Sequence, residues 1–440
     1  MTKEEKYNIA KWAMEHALNS GAQQASVSIN ESNSSQVEVR EEKIDKLEEA
    51  NRNSMRIRLY VDNRYSSIST NRLSNKEELK QFIEEAIAGT KYLSEDEFRT
   101  LPEPALYYKG GGDDLKTIDP GFKKIDPQDK INLAFATERE VLGKDDRIIS
   151  VTASYRDGMS GSVMVTSNGF EGDTENSYYS LVASVSVKSG DARPQSYWYE
   201  SAIFHDKLIK EGIGEKALKR ALDKLGQEKI KSEKMPMIVE NRIVGRTLLQ
   251  PLISAINGRS IQQKNSFLID MKGEKIGSEL MTLVDDPFIV SGRGSRHFDS
   301  EGLATKRRTI FDAGVLKEYY IDTYYGKKLE MEATSGDDTN LVFQPGEKEL
   351  EGLIASIDRG VLVTGFNGGN SNGTTGDFSF GIEGFLVENG KLTQPVSEMN
   401  ITGNFLQLWK ELSAVGSDPF TGSSWRLPSM VFDNVDFSGI

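Results

Sequence analysis

Alternating hydrophobic and polar positions predict two strands near the beginning of the chain. Apolar residues occupy every second position over 25–29 and again over 55–61. A period of two places successive side chains on opposite faces of a sheet, so each run is expected to be a half-buried strand. The second strand is expected to turn at Asp62-Asn63, because both residue types tolerate a positive φ.

Apolar residues at helical spacing predict helices on either side of these strands. Residues 2–5 and 74–77 each fit a capping box, in which a hydroxyl and the carboxylate three residues later satisfy free backbone N–H groups. Apolar residues then recur three and four positions apart. Gly21 and Gly89 are placed to end the two helices.

The middle of the chain adds further strands and helices. A Pro- and Gly-rich passage, 102–121, is predicted to be an internal linker or a long loop. After it, Asp126-Pro127 is expected to begin a helix, and a lysine-rich helix is predicted around 212–225. Strand-like runs lie at 148–155, 162–167 and 177–187.

The second half is richer in glycine and in strand. A helix is predicted over about 242–256 and hairpins over 309–322 and 384–396, each turning at residues that tolerate positive φ. The strands are grouped rather than alternating with helices, which is typical of α+β proteins. We therefore predict an α+β chain in two parts. They are an N-terminal helix and strand domain, 1–228, and a β-rich C-terminal domain with a mixed or antiparallel sheet, 229–440.

Composition and charge narrow the classes of function. The 440 residues are 37% hydrophobic and 28% charged, which is typical of a globular protein with a full core. Lys plus Arg number 54 and Asp plus Glu 67, so the formal net charge of −13 disfavours direct binding to nucleic acid or anionic membranes. No apolar run is long enough to span a bilayer and no signal peptide is evident, so a cytoplasmic protein is expected.

Few residues are available as metal ligands or nucleophiles. The chain has no cysteine, which excludes disulfides, thiolate-bound zinc and a thiol nucleophile. Its 3 histidines, His16, His205 and His297, are too far apart to share one turn of helix. Each is interpreted as a solvated or structural histidine, and no catalytic or metal-binding residue is assigned in this chain.

Motifs for nucleotide binding and for hydrolysis are incomplete. Residues 368–373 have the glycine spacing of a phosphate-binding loop, but Thr374 stands where that motif requires lysine. The stretch is therefore interpreted as a glycine-rich loop beside a strand. No Gly-x-Ser-x-Gly sequence is present for a serine hydrolase.

The densest group of charged residues lies between His297 and Arg308. Asp299 and Glu301 are followed by the paired arginines Arg307 and Arg308 just before a predicted strand. Such a group is either a substrate clamp or a buried ion network, and charge neighbours in sequence leave both interpretations open.

A series of short motifs follows in fixed order along the second half. They are Val-Asp-Asp at 284–286, Phe-Asp-Ser-Glu-Gly at 298–302, Thr-x-Arg-Arg at 305–308, Gly-Phe-Leu-Val-Glu-Asn-Gly-Lys at 384–391, Pro-Val-Ser-Glu at 395–398, Ile-x-Gly-Asn at 401–404, Val-Gly-x-Asp at 415–418 and Leu-Pro at 427–428. In order and spacing they resemble the TldD/PmbA family, also known as the modulator of DNA gyrase family and classed among peptidases. The resemblance implies a two-domain fold whose β-rich C-terminal domain forms a dimer interface.

TldD-type members of that family bind zinc through a His-Glu-x-x-x-His helix and a C-terminal cysteine. Imidazoles and a thiolate hold the metal, and the glutamate deprotonates a bound water. By alignment the motif falls at 249–254, where Leu249 and Ser254 replace the histidines and Gln250 replaces the glutamate. Residues 421–424, where the cysteine is expected, contain none. The resemblance therefore implies the PmbA (TldE) branch, with no cofactor in this chain and zinc only in a TldD-type partner.

The resemblance implies a subunit of a cytosolic peptidase complex that acts on unfolded or small peptides. We expect this chain to pair with a TldD-type subunit or with itself and to shape an enclosed chamber. Asp299, Glu301, Arg307 and Arg308 are the candidate lining residues. Two alternatives stay open: a homodimeric peptidase with an unrecognised site around 299–308, and a non-enzymatic regulator that binds a topoisomerase or an antitoxin.

Overall fold

Long antiparallel strands organise the first half of the chain in the computed structural model, which describes residues 1–439. These strands are β1 (Gln24–Arg40), β2 (Lys43–Val61), β3 (Arg64–Thr70), β4 (Ile148–Thr166), β5 (Glu171–Val187) and β6 (Gln195–Ala202). They form one sheet in the order β3-β2-β1-β4-β5-β6. The predicted turn at Asp62-Asn63 joins β2 to β3, and both residues have positive φ.

Strand β4 is longer than its sequence pattern indicates. The pattern predicts separate strands over 148–155 and 162–167, whereas β4 runs without a break from Ile148 to Thr166. The intervening residues 156–161 have little apolar character, but they pair with β1 on one side and β5 on the other. The strand continues because this double pairing satisfies its backbone hydrogen bonds.

Helices cover one face of this sheet and leave the other polar. They are α1 (Lys3–Asn19), α2 (Lys76–Thr90), α3 (Pro127–Arg139) and α4 (Ile213–Asp223). Helices α1 and α2 bury an apolar cluster that includes Val27 and Val163, and α3 and α4 bury another that includes Val39 and Val151. Every even-numbered residue of β1 is polar, so β1 presents a hydrophilic surface on the opposite face of the sheet.

The predicted helix caps are confirmed at α1 and shifted by one residue at α2. Thr2 and Glu5 form the reciprocal capping box at α1. At α2 the N-cap is Asn75 rather than Ser74, because the Asn75 side chain accepts hydrogen bonds from the N–H groups of Glu77 and Glu78. Asparagine is as good an N-cap as serine, so the neighbouring residue takes the role.

The second half contains two more sheets. Its strands are β7 (Glu233–Val239), β8 (Leu283–Asp285), β9 (Arg308–Asp312), β10 (Val315–Leu316), β11 (Leu341–Phe343), β12 (Arg359–Ser371), β13 (Asp377–Glu388), β14 (Lys391–Asn404), β15 (Leu412–Val415), β16 (Trp425–Arg426) and β17 (Met430–Ser438). One sheet has the order β10-β9-β8-β11-β16, and the other β14-β13-β12-β7-β17-β15. Because β14 also pairs with β17, strands β7, β12, β13, β14 and β17 close into a ring.

Short helices fill the space around these two sheets. They are α5 (Asn241–Val244), α6 (Gln250–Ala255), α7 (Gly258–Gln262), α8 (Thr323–Leu329), α9 (Leu350–Ala355) and α10 (Phe405–Lys410). Their apolar residues, such as Leu252, Phe405 and Trp409, join the main core of this half. The mixed helix and strand content, with parallel and antiparallel pairs in the β-rich second half, confirms the predicted α+β class. None of the described helices has the length and apolar character needed to cross a membrane.

The Pro- and Gly-rich passage 102–121 packs against the second half of the chain. Tyr107 is buried and pairs with Leu303 in an isolated bridge. The N–H of Tyr108 donates to the carbonyl of Gly302 at 3.0 Å. The passage therefore joins the two halves at the acidic loop that contains Asp299 and Glu301.

Candidate functional site

The positions aligned with the zinc motif lie on a helical segment that contains a π turn. Helix α5 continues through the π-helical turn Gly245–Leu249 into α6. Pro251 lacks an N–H, and its ring would clash with the carbonyl four residues earlier in a regular helix. The wider π turn relieves this clash, and the N–H of Gln250 donates to the carbonyl of Gly245, five residues back. The helix predicted over 242–256 is thus present, with one irregularity.

The three aligned side chains make ordinary packing and surface contacts. Leu249 is fully buried in the main core of the second half. Gln250 is exposed, and its Nε2 donates to the Oγ of Ser254 at 3.2 Å. A buried aliphatic group offers no lone pair to a metal ion, and a neutral amide and hydroxyl are weak ligands for zinc.

A cleft of about 630 Å³ lies beside this helix, between the two halves of the chain. It is lined by β6, by Arg246 and Pro251, and by the last residues of β12. Strand β12 pairs with β7 only as far as Val363, so its later residues present a free edge to the cleft. The cleft is therefore bordered by backbone as well as by side chains.

The glycine-rich stretch 368–373 belongs largely to this strand edge. Gly368 and Gly369 have positive φ, and a Cβ on Gly369 would lie 2.1 Å from the carbonyl of Ser379. The next element along the chain is β13, so no helix N-terminus is present to bind a phosphate. Residues 368–371 are thus part of β12 itself, so the interpretation as a loop beside a strand holds only for the end of this stretch.

Arg242 lines the cleft and fixes the two halves to each other. Its guanidinium lies 3.9 Å from the ring centroid of Trp198 and 4.0 Å from that of Phe420. It also donates to the Oε1 of Glu200 at 3.0 Å and to the carbonyl of Tyr199 at 2.9 Å. Stacking and charge pairing together make Arg242 the central contact of this interface. Neither Arg242 nor its partners are predicted as site residues from the sequence.

Asp299 shapes a loop that docks on the first half. It is 4% exposed, and its Oδ1 accepts hydrogen bonds from the N–H groups of Glu301 and Leu303 at 2.9 and 3.0 Å. Arg58 on β2 donates to the carbonyl of Ser300 in the same loop at 3.2 Å. Asp299 is thus a structural residue of the interface between the halves.

Glu301 lies in the same loop, and its pKa is raised above the ordinary value for a glutamate. Its Oε2 accepts a hydrogen bond from the N–H of Thr323 at the start of α8, at 2.9 Å. Burial, reinforced by the nearby carboxylates of Asp299 and Asp322, raises the pKa of Glu301 to about 7. A carboxyl group with this pKa changes its charge near neutral pH.

Arg308 belongs to a buried ion network. Its Nε and Nη2 donate to the Oδ2 of Asp285 at 3.3 and 3.2 Å, and both side chains are largely buried. Asp285 also accepts hydrogen bonds from the hydroxyl of Tyr320 at 3.1 Å and from the N–H of Thr339 at 2.9 Å. Of the two interpretations left open by the sequence, the buried network is the one that describes Arg308.

Arg307 has a different environment from its neighbour. Its side chain is 63% exposed and pairs with Asp286 at 3.2 Å. Within residues 1–439, no hydrogen bond or ion pair joins Arg307 or Arg308 to Asp299 or Glu301. The charged group that is dense in sequence therefore separates into two structural units, and its place in an enclosed chamber stays a prediction.

Comparison with known proteins shows what this arrangement is related to. Models of the PmbA/TldA metallopeptidase C-terminal domain, central domain and domain 1 match residues 232–439, 120–225 and 25–89. The chain belongs to the PmbA/TldD metallopeptidase family. The predicted resemblance is thereby confirmed.

Among PmbA/TldD relatives, the chain is similar to a metalloprotease PmbA homolog of Haemophilus influenzae. The two are 31% identical over 97% of this chain and 95% of the relative. Metalloprotease PmbA of Escherichia coli O157:H7 is 27% identical over 94% of this chain and 92% of its own length.

Solved structures of the family share the fold over the whole chain. One from Bacteroides thetaiotaomicron, described as a proposed modulator of DNA gyrase, has a TM-score of 0.98 at 52% identity and covers 100% of both chains. TldE from Thermococcus kodakarensis has a TM-score of 0.85 at 23% identity, covering 98% of this chain and 99% of that one.

The zinc implied by the PmbA/TldD family does not fit the residues of this chain. Within residues 1–439, no three His, Cys, Asp or Glu side chains are grouped to hold a metal ion. Near the position of the expected cysteine, the carbonyl of Gly422 accepts a hydrogen bond from Ser201 and the Oγ of Ser423 accepts one from the N–H of Trp425. This loop therefore contacts the first half of the chain through Gly422 and forms a hydrogen bond within the second half through Ser423.

The histidines of this PmbA/TldD chain take part in local packing. His16 stacks on Trp12, and its Nε2 lies 3.1 Å from Glu84. His297 stacks on Tyr108, and its Nε2 lies 3.0 Å from the carbonyl of Asp113. His205 contacts the edges of two tyrosine rings, and burial lowers its pKa. These contacts agree with a structural interpretation of each histidine.

Proposed function

We propose that this chain is a PmbA/TldE-type subunit of a cytoplasmic TldD/TldE-type peptidase that degrades unfolded or small peptides. A TldD-type partner supplies zinc and the catalytic glutamate, and this chain binds no zinc. The observation that carries the proposal is the helix around 249–254, which is present although each aligned ligand position is substituted. Leu249 is a core residue there, and Gln250 bonds to Ser254 rather than to a reactive group.

The relatives support this proposal at the level of the family. The matching models describe metallopeptidase domains, and the curated relatives are named as metalloproteases of PmbA type. A chain that keeps this fold and lacks the ligands suits a subunit that positions peptide or partner rather than one that performs hydrolysis. Arg242 fixes the walls of the cleft, and this fixed cleft is what such a subunit contributes to the complex.

The test is to assay the purified chain alone and with a family member from the same genome that keeps the His-Glu-x-x-x-His motif. We expect no stoichiometric zinc and no peptide hydrolysis from this chain alone, and hydrolysis when the two are mixed. Substituting the motif glutamate of the partner by glutamine should abolish that hydrolysis. Light scattering of the mixture gives the stoichiometry and separates a heterodimer from a homodimer.

One result would contradict the proposal outright. Stoichiometric zinc in this chain, with hydrolysis that a chelator removes in the absence of any partner, would make it a metallopeptidase in its own right. Hydrolysis without zinc, lost on substitution of Asp299 or Arg307 in a folded protein, would instead favour the homodimeric peptidase with an unrecognised site.

A further inference from the structure

The turn Gly292-Arg293-Gly294 is held rigidly between the two halves of the chain. The N–H of Ser291 donates to the carbonyl of Leu115 at 2.7 Å, and the N–H of Gly294 donates to the Oδ1 of Asn340 at 2.9 Å. A Cβ on Gly294 would lie 2.3 Å from the carbonyl of Thr339, so the backbone is tightly packed. Arg293 therefore extends from a fixed support.

This turn borders a cavity of about 970 Å³ between the halves. Arg293 and Lys116 both line it, and the hydrogen bond between Ser291 and Leu115 holds their two segments together. A volume near 1,000 Å³ is at the upper end of the usual range for small-molecule sites. The cavity is thus large enough for a short peptide.

Arg293 and Lys116 are cations without an anionic partner in residues 1–439. Neither side chain forms a hydrogen bond or an ion pair there, whereas Arg220 and Arg242 pair with carboxylates at 2.7 and 3.0 Å. More than a third of the surface of Arg293 reaches solvent, and burial of the remainder lowers its pKa, with the hydroxyls of Tyr199 and Tyr178 as its titratable neighbours. A guanidinium at the edge of a cavity with no carboxylate beside it keeps its donors available for the carboxylate of a ligand.

The same cavity also presents carboxylates that lack a cation. Glu349 and Glu351, at the beginning of α9, line it and form no ion pair within the described chain. Among the other acids of the lining, Glu240 and Glu200 pair with Arg220 and Arg242. Asp206 lies 3.6 Å from Lys207, and Asp418 accepts hydrogen bonds from Asn241 and Ser429. The cavity therefore offers unpaired charges of both signs, which suits a zwitterion better than a simple anion.

We propose that this cavity binds a short peptide, with the terminal carboxylate on Arg293 and Lys116 and the terminal ammonium directed to Glu349 and Glu351. The planar guanidinium matches a carboxylate through two parallel N–H···O bonds, and the lysine adds a second positive charge. The choice of a peptide as the ligand rests on the proposed function. The two cations and two carboxylates without ionic partners are observed independently of that function. The site adjoins the cleft beside the helix with the substituted zinc motif, since Arg242 and Trp198 line both cavities.

The test is isothermal titration calorimetry of the full chain, without a partner, against tetra-alanine, its C-terminal amide and its N-acetyl form. We expect the free peptide to bind and each blocked form to bind roughly tenfold more weakly, since a charge-assisted hydrogen bond contributes on the order of tenfold in affinity. The double variant Arg293→Ala/Lys116→Ala should lose binding of the free peptide by at least about tenfold. The variant Lys80→Ala/Lys91→Ala, which removes two exposed cations at α2, should bind normally.

Several outcomes would overturn the inference. They are equal binding of the amide and the free acid, unchanged binding by the Arg293/Lys116 variant with its fold confirmed by circular dichroism, and binding of inorganic phosphate without any binding of peptide. Hydrolysis by the mixed subunits without peptide binding to this chain would contradict the inference and leave the proposed function intact. Peptide binding to this chain without hydrolysis by the mixed subunits would contradict the proposed function and leave the inference intact.

Discussion

Glu301 accepts a hydrogen bond from the backbone N–H of Thr323 at 2.9 Å, and no cation pairs with its carboxylate within residues 1–439. The bond joins the acidic loop to the beginning of α8. On the other side, the loop contacts the first half of the chain through Arg58 and Tyr108. Glu301 therefore links the loop that docks on the first half to α8 of the second half.

Stability is expected to fall as the pH rises through neutrality because of Glu301. Its pKa is about 7 in the folded chain against an ordinary value of 4.5, so between these pH values the folded state binds more protons than the unfolded state. The favourable contribution is complete below pH 4.5 and is lost as the pH rises to about 7. The loss amounts to about 3.5 kcal/mol at most, from about 1.4 kcal/mol per pKa unit.

Glu301→Gln should remove this pH dependence. Chemical denaturation at pH 5 and pH 8 should show the variant more stable than the native chain at pH 8, with the difference much smaller at pH 5. The control is Glu97→Gln, an exposed glutamate, which should keep the native pH dependence. An unchanged slope in the Glu301 variant would show that other buried acids account for the effect.

Arg242→Ala should destabilise the chain because it removes the central contact between the halves. The change leaves the largely buried Glu200 without its cation and deprives Trp198 and Phe420 of their stacking partner. We expect a loss of about 3 kcal/mol in the free energy of unfolding, as for other broken buried ion pairs. Arg359→Ala, which breaks exposed ion pairs to Glu233 and Glu388, should cost less than about 1 kcal/mol. Equal effects of the two substitutions would contradict the assigned role of Arg242.

Removing the carboxylate partner of Arg308 should lower the free energy of unfolding more than removing the carboxylate partner of Arg307. Asp285→Ala leaves Arg308 buried and unpaired and should cost about 3–5 kcal/mol. Asp286→Ala removes the exposed pair with Arg307 and the hydrogen bond that Asp286 accepts from the N–H of Phe288, and it should cost about 1 kcal/mol. Urea denaturation of both variants measures the difference. Similar costs would mean that Arg308 is not the buried member of the pair.

Restoring one histidine of the zinc motif should damage the chain rather than repair it. Leu249→His places an imidazole in a packed core and should cost about 2–5 kcal/mol, with no gain of zinc by elemental analysis. Gln250→Glu changes an exposed side chain and should be nearly neutral. Stoichiometric zinc in the Leu249 variant would show that ligands for the metal are closer than the structure places them.

Local sequence signals predicted the elements well because those elements depend on neighbouring residues. The capping box at Thr2 and the turn at Asp62-Asn63 are both decided within a few positions. The substitution of the zinc motif was also visible from alignment, although the burial of Leu249 was not.

The contacts that shape the candidate site depend on residues far apart in the chain. Trp198, Arg242 and Phe420 meet only because β6, α5 and a late loop converge, and none of them carries a local motif. The same holds for Arg293 and Lys116, whose segments are joined by a single backbone hydrogen bond. Continuity of β4 likewise depends on pairing with two neighbouring strands, which its own polar residues do not indicate.

The ring formed by β7, β12, β13, β14 and β17 has a mechanical consequence. A strand at an open edge can peel away after losing one ladder, whereas a strand of the ring must break two. Local opening should therefore engage the whole ring, and the amide protons of its five strands should exchange with solvent as one slow unit. The sheet of the first half is open, with β3 and β6 at its edges. Its amide protons should therefore exchange in steps from those edges inwards.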